Sequence, residues 1–81
     1  MKTITLSHTH IRILDYIIQG MSREEIATKM KLKVSTVGSY LRDMNRDNEC
    51  TLHQLVWRYA HVVGHHTQKP KYKLIIVYGK R

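Results

Sequence analysis

Eight side chains between positions 29 and 46 have the types and spacing to do chemistry together: Lys29, Lys31, Lys33, Ser35, Thr36, Ser39, Arg42 and Arg46. Hydroxyls donate and accept hydrogen bonds at base edges or phosphate oxygens, and the cations neutralise phosphates. Ser35, Thr36, Ser39, Arg42, Asp43 and Arg46 recur at three and four, so one helix would present them on a single face. The three lysines alternate through the stretch just before that helix. Such alternation ordinarily marks a solvated turn, but beside a hydrogen-bonding helix it favours phosphate contact.

Other constellations carry less. His61 and His65 are four apart with His66 adjacent, and Cys50 lies three before His53. Structural zinc wants four ligands, usually paired from two elements. Here Gly64 would break the helix between the histidines, and Cys50 has no second cysteine, so neither metal nor other cofactor is expected. Cys50 beside a histidine lacks an oxyanion-binding loop, and no enzymatic activity is expected. The single cysteine also excludes an intramolecular disulfide and fits a reducing compartment.

The elements that must position the eight side chains have their own signals. Ser7 caps a first helix whose Ile11, Ile13, Leu14, Ile17 and Ile18 recur at helical spacing up to Gln19-Gly20. Ser22-Arg-Glu-Glu25 is a capping box opening a second helix with Ile26, Ala27 and Met30 on one face. A third helix, about 34–46, follows Lys31-Leu-Lys33 and turns Val37, Tyr40, Leu41 and Met44 inward. Thr51-Leu-His-Gln54 is a second capping box; it starts a fourth helix with Leu52, Leu55, Val56, Tyr59 and Val63 inward, ending at Gly64. Residues 65–70 are polar and end in Pro70, which predicts a linker. Beyond it Lys71–Tyr78 is β-branched and aromatic, predicting a strand with Tyr72, Leu74, Ile76 and Tyr78 on one face; Lys2–Thr5 is a weaker strand candidate. The expected fold is mainly α, with a helix-turn-helix domain over 1–66 and a basic linker and β-strand tail over 67–81.

With Ala27 small at the helix crossing and Val37 anchoring the third helix, the pattern resembles the LuxR/GerE family of bacterial transcription regulators. Gln19-Gly-Met-Ser22, Glu25-Ile-Ala27 and Thr36-Val37 are its most specific pieces, and agreement runs from about Leu6 to Ala60. Region 4 of bacterial sigma factors is similar over the first three helices. The resemblance implies a four-helix DNA-binding domain whose third helix enters the major groove and whose fourth pairs two subunits. Four positions depart from it. Gly38 stands where the family usually has Lys, Lys33 where it has a capping Ser, and Asn48-Glu49 where it has Leu-Gly. Gly38 either admits the DNA backbone closely or marks a helix that no longer discriminates sequence.

Composition agrees with a polyanionic partner. The 81 residues carry +8, from 14 Lys and Arg against 6 Asp and Glu. Lys69, Lys71, Lys73, Lys80 and Arg81 contribute +5 of it, so the tail is the more basic part. No apolar run is long enough for a membrane span and the opening residues do not resemble a signal peptide, so a cytoplasmic, stand-alone regulator of double-stranded DNA is expected. RNA polymerase or another regulator is a further candidate partner. A chain this short gains core by pairing, and Trp57, Tyr59, Leu74 and Ile76 are the residues expected to make a homodimer, with the terminal strands exchanged between subunits. The alternative is a protein-interaction module, an anti-activator that dimerises with a related regulator.

Overall fold

A computed structural model describes residues 2–63 and 72–77. Their order is β1 (Lys2–Ser7), α1 (His8–Ile18), α2 (Arg23–Met30), α3 (Val34–Asn48), α4 (Leu52–Val63) and β2 (Tyr72–Val77). Gly64, the linker 65–70, His65, His66, Tyr78 and the cations Lys69, Lys71, Lys80 and Arg81 lie outside the described residues, as do the side chains of Tyr72 and Lys73.

Local signals set the helix boundaries. Ser7 caps α1 by accepting the His10 amide, while His10 Nδ1 accepts the Ser7 amide at 3.3 Å, a capping box with histidine in the usual Glu place. Ser22 and Glu25 exchange the same two bonds at α2. The amide of Ser22, and then its hydroxyl, hold the Glu25 carboxyl below its ordinary range. Thr51 and Gln54 repeat the pattern at α4. Gly20 ends the α1 turn at φ +91, where a side chain is strained. Lys31 and Glu49 end α2 and α3 in the same left-handed region without being glycine, at φ 57 and 52. That is the backbone conformation for which the family resemblance implies Gly at position 49.

The terminal strands meet in one chain. β1 and β2 form a parallel pair in register from Lys2 opposite Tyr72 to Ser7 opposite Val77. Parallel neighbours need a long crossover, and here everything from α1 to α4 lies within it. The pairing seen here joins the two strands of one chain. Ile4 and Leu6 point into the helical body and are fully buried, whereas Thr3 is exposed. Leu74, opposite Ile4, packs on the same core, and Ile76 is half-buried; the apolar residue that β2 exposes is Ile75. Leu74 and Ile76, expected as dimer contacts, are each half-buried within the one chain.

Ile13 and Leu14 of α1, Ile26 and Ala27 of α2, Val37, Leu41 and Met44 of α3, and Leu55 and Tyr59 of α4 complete the core. Ile18 does not share it: it closes the last turn of α1 and is exposed. Tyr59 is 3% exposed, and its hydroxyl donates to Asp15 of α1 at 2.8 Å. Burial, then that bond and the nearby charge, push the phenol well above its ordinary range. Tyr59, expected at a dimer interface, serves within the chain as an internal strut between α1 and α4. Tyr59→Phe should cost about 0.5–1.5 kcal/mol, because exposed Asp15 regains water. That is a melting temperature lower by about 4–8 °C per kcal/mol for a domain of this size. Tyr59→Ala should cost about 3–5 kcal/mol, enough to threaten the fold. Thermal melts followed by circular dichroism check both; equal losses would mean that the hydroxyl, not the ring, carries the contribution.

Candidate nucleic-acid interface

The turn between α2 and α3 sorts its residues by burial. Lys31 bends the chain through its left-handed conformation, Leu32 turns half-inward against the core with its amide donating to the Ala27 carbonyl at 2.8 Å, and Lys33 turns out. Lys29, Lys31 and Lys33 are exposed as a result, and the alternation seen in the sequence is an alternation of side. Buried Ala27 keeps α2 close to α3, whose Val37 is fully buried beneath the turn.

Along α3, Ser35, Ser39, Arg42 and Arg46 are exposed and Thr36 is half-buried. The opposite face holds Val37, Leu41 and Met44 in the core. All eight residues singled out in the sequence therefore lie along the turn and on α3 or the end of α2, and none is in the core. The exposed apolar residue Val34 opens α3 and joins this surface; an apolar first position gave no signal of its own. Lys33 caps α3 through its backbone only, with no side-chain bond.

The two arginines rest along their own helix. Arg42 Nη2 donates to Ser39 Oγ at 3.1 Å, and Ser39 Oγ donates to the Ser35 carbonyl at 3.2 Å. Arg46 pairs with Asp43 at 3.0 Å. Exposed pairs of this kind contribute about 0–1 kcal/mol, so a phosphate can displace them at small cost. The surface is graded as a consequence, neutral and hydroxyl-bearing at the start of α3 and cationic toward its end.

Gly38 lies between these groups in sequence but is itself buried. A Cβ there would meet only the Arg42 guanidinium, at an ordinary 3.7 Å, and its φ is not in the positive range. Among the described residues nothing requires glycine at this position. No group of three or more His, Cys, Asp or Glu that could hold an ion occurs among the described residues, outside which His65 and His66 lie. His61 instead stacks on Trp57, ring centroids 5.2 Å apart and 17° from parallel. Cys50 is half-buried, and burial, partly offset by Arg58, pushes its thiol up. No described helix is long and apolar enough to cross a membrane.

The family described as bacterial regulatory proteins, luxR family (GerE), matches residues 4–46, just over half of the chain. The match spans β1 to α3 and stops before α4. No curated protein shows a significant match. Neither does any solved structure.

Because Gly38 costs helix stability without an internal reason, Gly38→Ala should raise stability by about 1 kcal/mol, or about 4–8 °C in melting temperature. A lower melting temperature would show that the helix needs glycine after all. Binding of the stabilised variant to duplex DNA then separates the two roles of Gly38. Weaker binding assigns it to close backbone approach, and equal binding to a helix that has lost discrimination.

Proposed function

Since this chain belongs to the luxR family of bacterial regulatory proteins, DNA-binding regulators built on a helix-turn-helix, we propose that it binds duplex DNA with α3 in the major groove. The observation that carries this is the row of exposed Lys29, Lys31, Lys33, Ser35, Ser39, Arg42 and Arg46 with half-buried Thr36 among them, opposite Val37, Leu41 and Met44 in the core. In this arrangement the lysines of the turn contact phosphates and set the register of the helix. Ser35, Ser39 and Arg42 then face base edges, and Arg46 returns to the backbone.

A gel-shift titration of the full chain against a random duplex pool at two salt concentrations tests the proposal. Wild-type binding should weaken with salt, as counterion release requires. Arg42→Ala should weaken binding by about 1–3 kcal/mol, and Lys31→Ala should reduce the salt slope by about 1. If no duplex is shifted, the face serves another partner and the protein-interaction alternative takes its place.

We further propose that the functional unit is a homodimer paired through α4. Trp57 supports it: the ring is 54% exposed, stacks on His61, and borders an open hollow lined by His53, Gln54 and Arg58. An exposed tryptophan is a frequent anchor of protein interfaces. A two-fold pair would place two copies of α3 about 34 Å apart, one turn of DNA. Sedimentation equilibrium should show a dimer that Trp57→Ala weakens without changing the melting temperature of dilute protein. A wild-type monomer at high concentration, with and without DNA, overturns it.

A further inference from the structure

β1 has two edges, and they are closed by different things. β2 pairs along one. On the other, the side-chain amide of Asn48 lies against the backbone of Thr5: its Oδ1 accepts the Thr5 amide N–H at 2.7 Å and its Nδ2 donates to the Thr5 carbonyl at 2.9 Å. Nδ2 also donates to the Met44 carbonyl, one turn back in α3, at 2.9 Å. A primary amide can make at most four hydrogen bonds, and this one makes three, all to backbone. The bond to Met44 fixes the amide plane relative to the α3 axis, and the pair to Thr5 fixes it relative to the strand. Asn48 is the last residue of the helix that carries the proposed DNA surface. The leucine that the family resemblance implies here could make none of these bonds.

We propose that Asn48 is a positioning residue for DNA recognition: its amide locks the end of α3 to β1, and through β1 to β2, so that the terminal sheet sets how α3 is presented. The proposal rests on α3 being the DNA-reading helix. The start of α3 is held by the α2 crossing at Ala27 and Val37. With Asn48 fixing its far end, a helix of 15 residues, about 22 Å long, is clamped at both ends and cannot pivot. Base contacts need side chains placed to within a fraction of an ångström, whereas phosphate contacts by long lysines and arginines tolerate small rotations. Loss of the clamp should therefore reduce discrimination before it reduces affinity for DNA in general. The two strands acquire a role in binding although neither holds a residue of the DNA surface.

The test uses the full chain as wild type, Asn48→Leu and Asn48→Asp, the latter keeping the acceptor for the Thr5 amide but losing both donations. Each is titrated with the random duplex pool and with a duplex enriched from that pool by the wild-type protein. Both variants should lose about tenfold or more on the enriched duplex while staying within about twofold on the pool, with an unchanged salt slope. A merely structural defect lowers both affinities together and leaves their ratio intact, which would overturn the positioning role alone. A wild-type protein that binds neither duplex overturns the DNA reading and this inference with it. Should the variants fail to fold by circular dichroism, hydrogen exchange of the wild type decides. Enriched duplex must slow exchange of the Thr5 amide more than that of the Gln19 amide at the end of α1, and equal slowing overturns the proposal.

Discussion

Burying Ile4 and Leu6 obliges the backbone that carries them to find hydrogen-bond partners on both of its edges, and the rest of the molecule is arranged around that demand. One edge brings β2 back across the whole helical body. The other is met by the Asn48 side chain at Thr5, standing in for a third strand. β1 consequently touches the helical body on its inner face, β2 on one side and the end of α3 on the other. A chain of 81 residues has too little apolar surface to leave such a strand outside its core.

The helices divide labour around that centre. α1 and α4 are braced by the Tyr59–Asp15 bond, and α2 and α3 by the close crossing at Ala27. This leaves one face of α3 without structural duty beyond its own first and last turns. Hydroxyls and two loosely tethered arginines can occupy it because none is needed to hold the fold. The same logic explains the turn lysines: Leu32 carries the packing, and its neighbours on either side are released to solvent.

Much of this was legible in the sequence where the signal is local. Capping residues and three-four spacing set all four helices to within a residue or two, because a cap and an apolar stripe act within one turn. The turn cations and the outer face of α3 followed from the same periodicity. What was not legible depends on distant partners. Apolar alternation in β2 announced a strand and its inner face, but it could not say whether the partner strand belongs to the same chain. Helical spacing put Tyr59 on the inner stripe of α4 and left Trp57 off it, but the Asp15 partner of its hydroxyl lies 44 positions away and gave no local signal. Asn48 gave no signal as a clamp, since an asparagine near a helix end ordinarily reads as a cap or a turn residue. His10 was missed as a capping partner because the motif is usually recognised by Glu or Gln.

The parallel register has a consequence for how the molecule comes together. Each residue of β1 meets a partner 70 positions further along, as Lys2 meets Tyr72, so the pair contributes some of the longest-range contacts the chain can make. The helices form from neighbours and can assemble early, whereas β1 must hold its apolar residues ready until β2 arrives. Closing so large a loop costs entropy before any strand bond repays it, which raises relative contact order well above that of a plain helical bundle. The strand pair is thus the part of the fold whose formation carries the largest loop-closure cost.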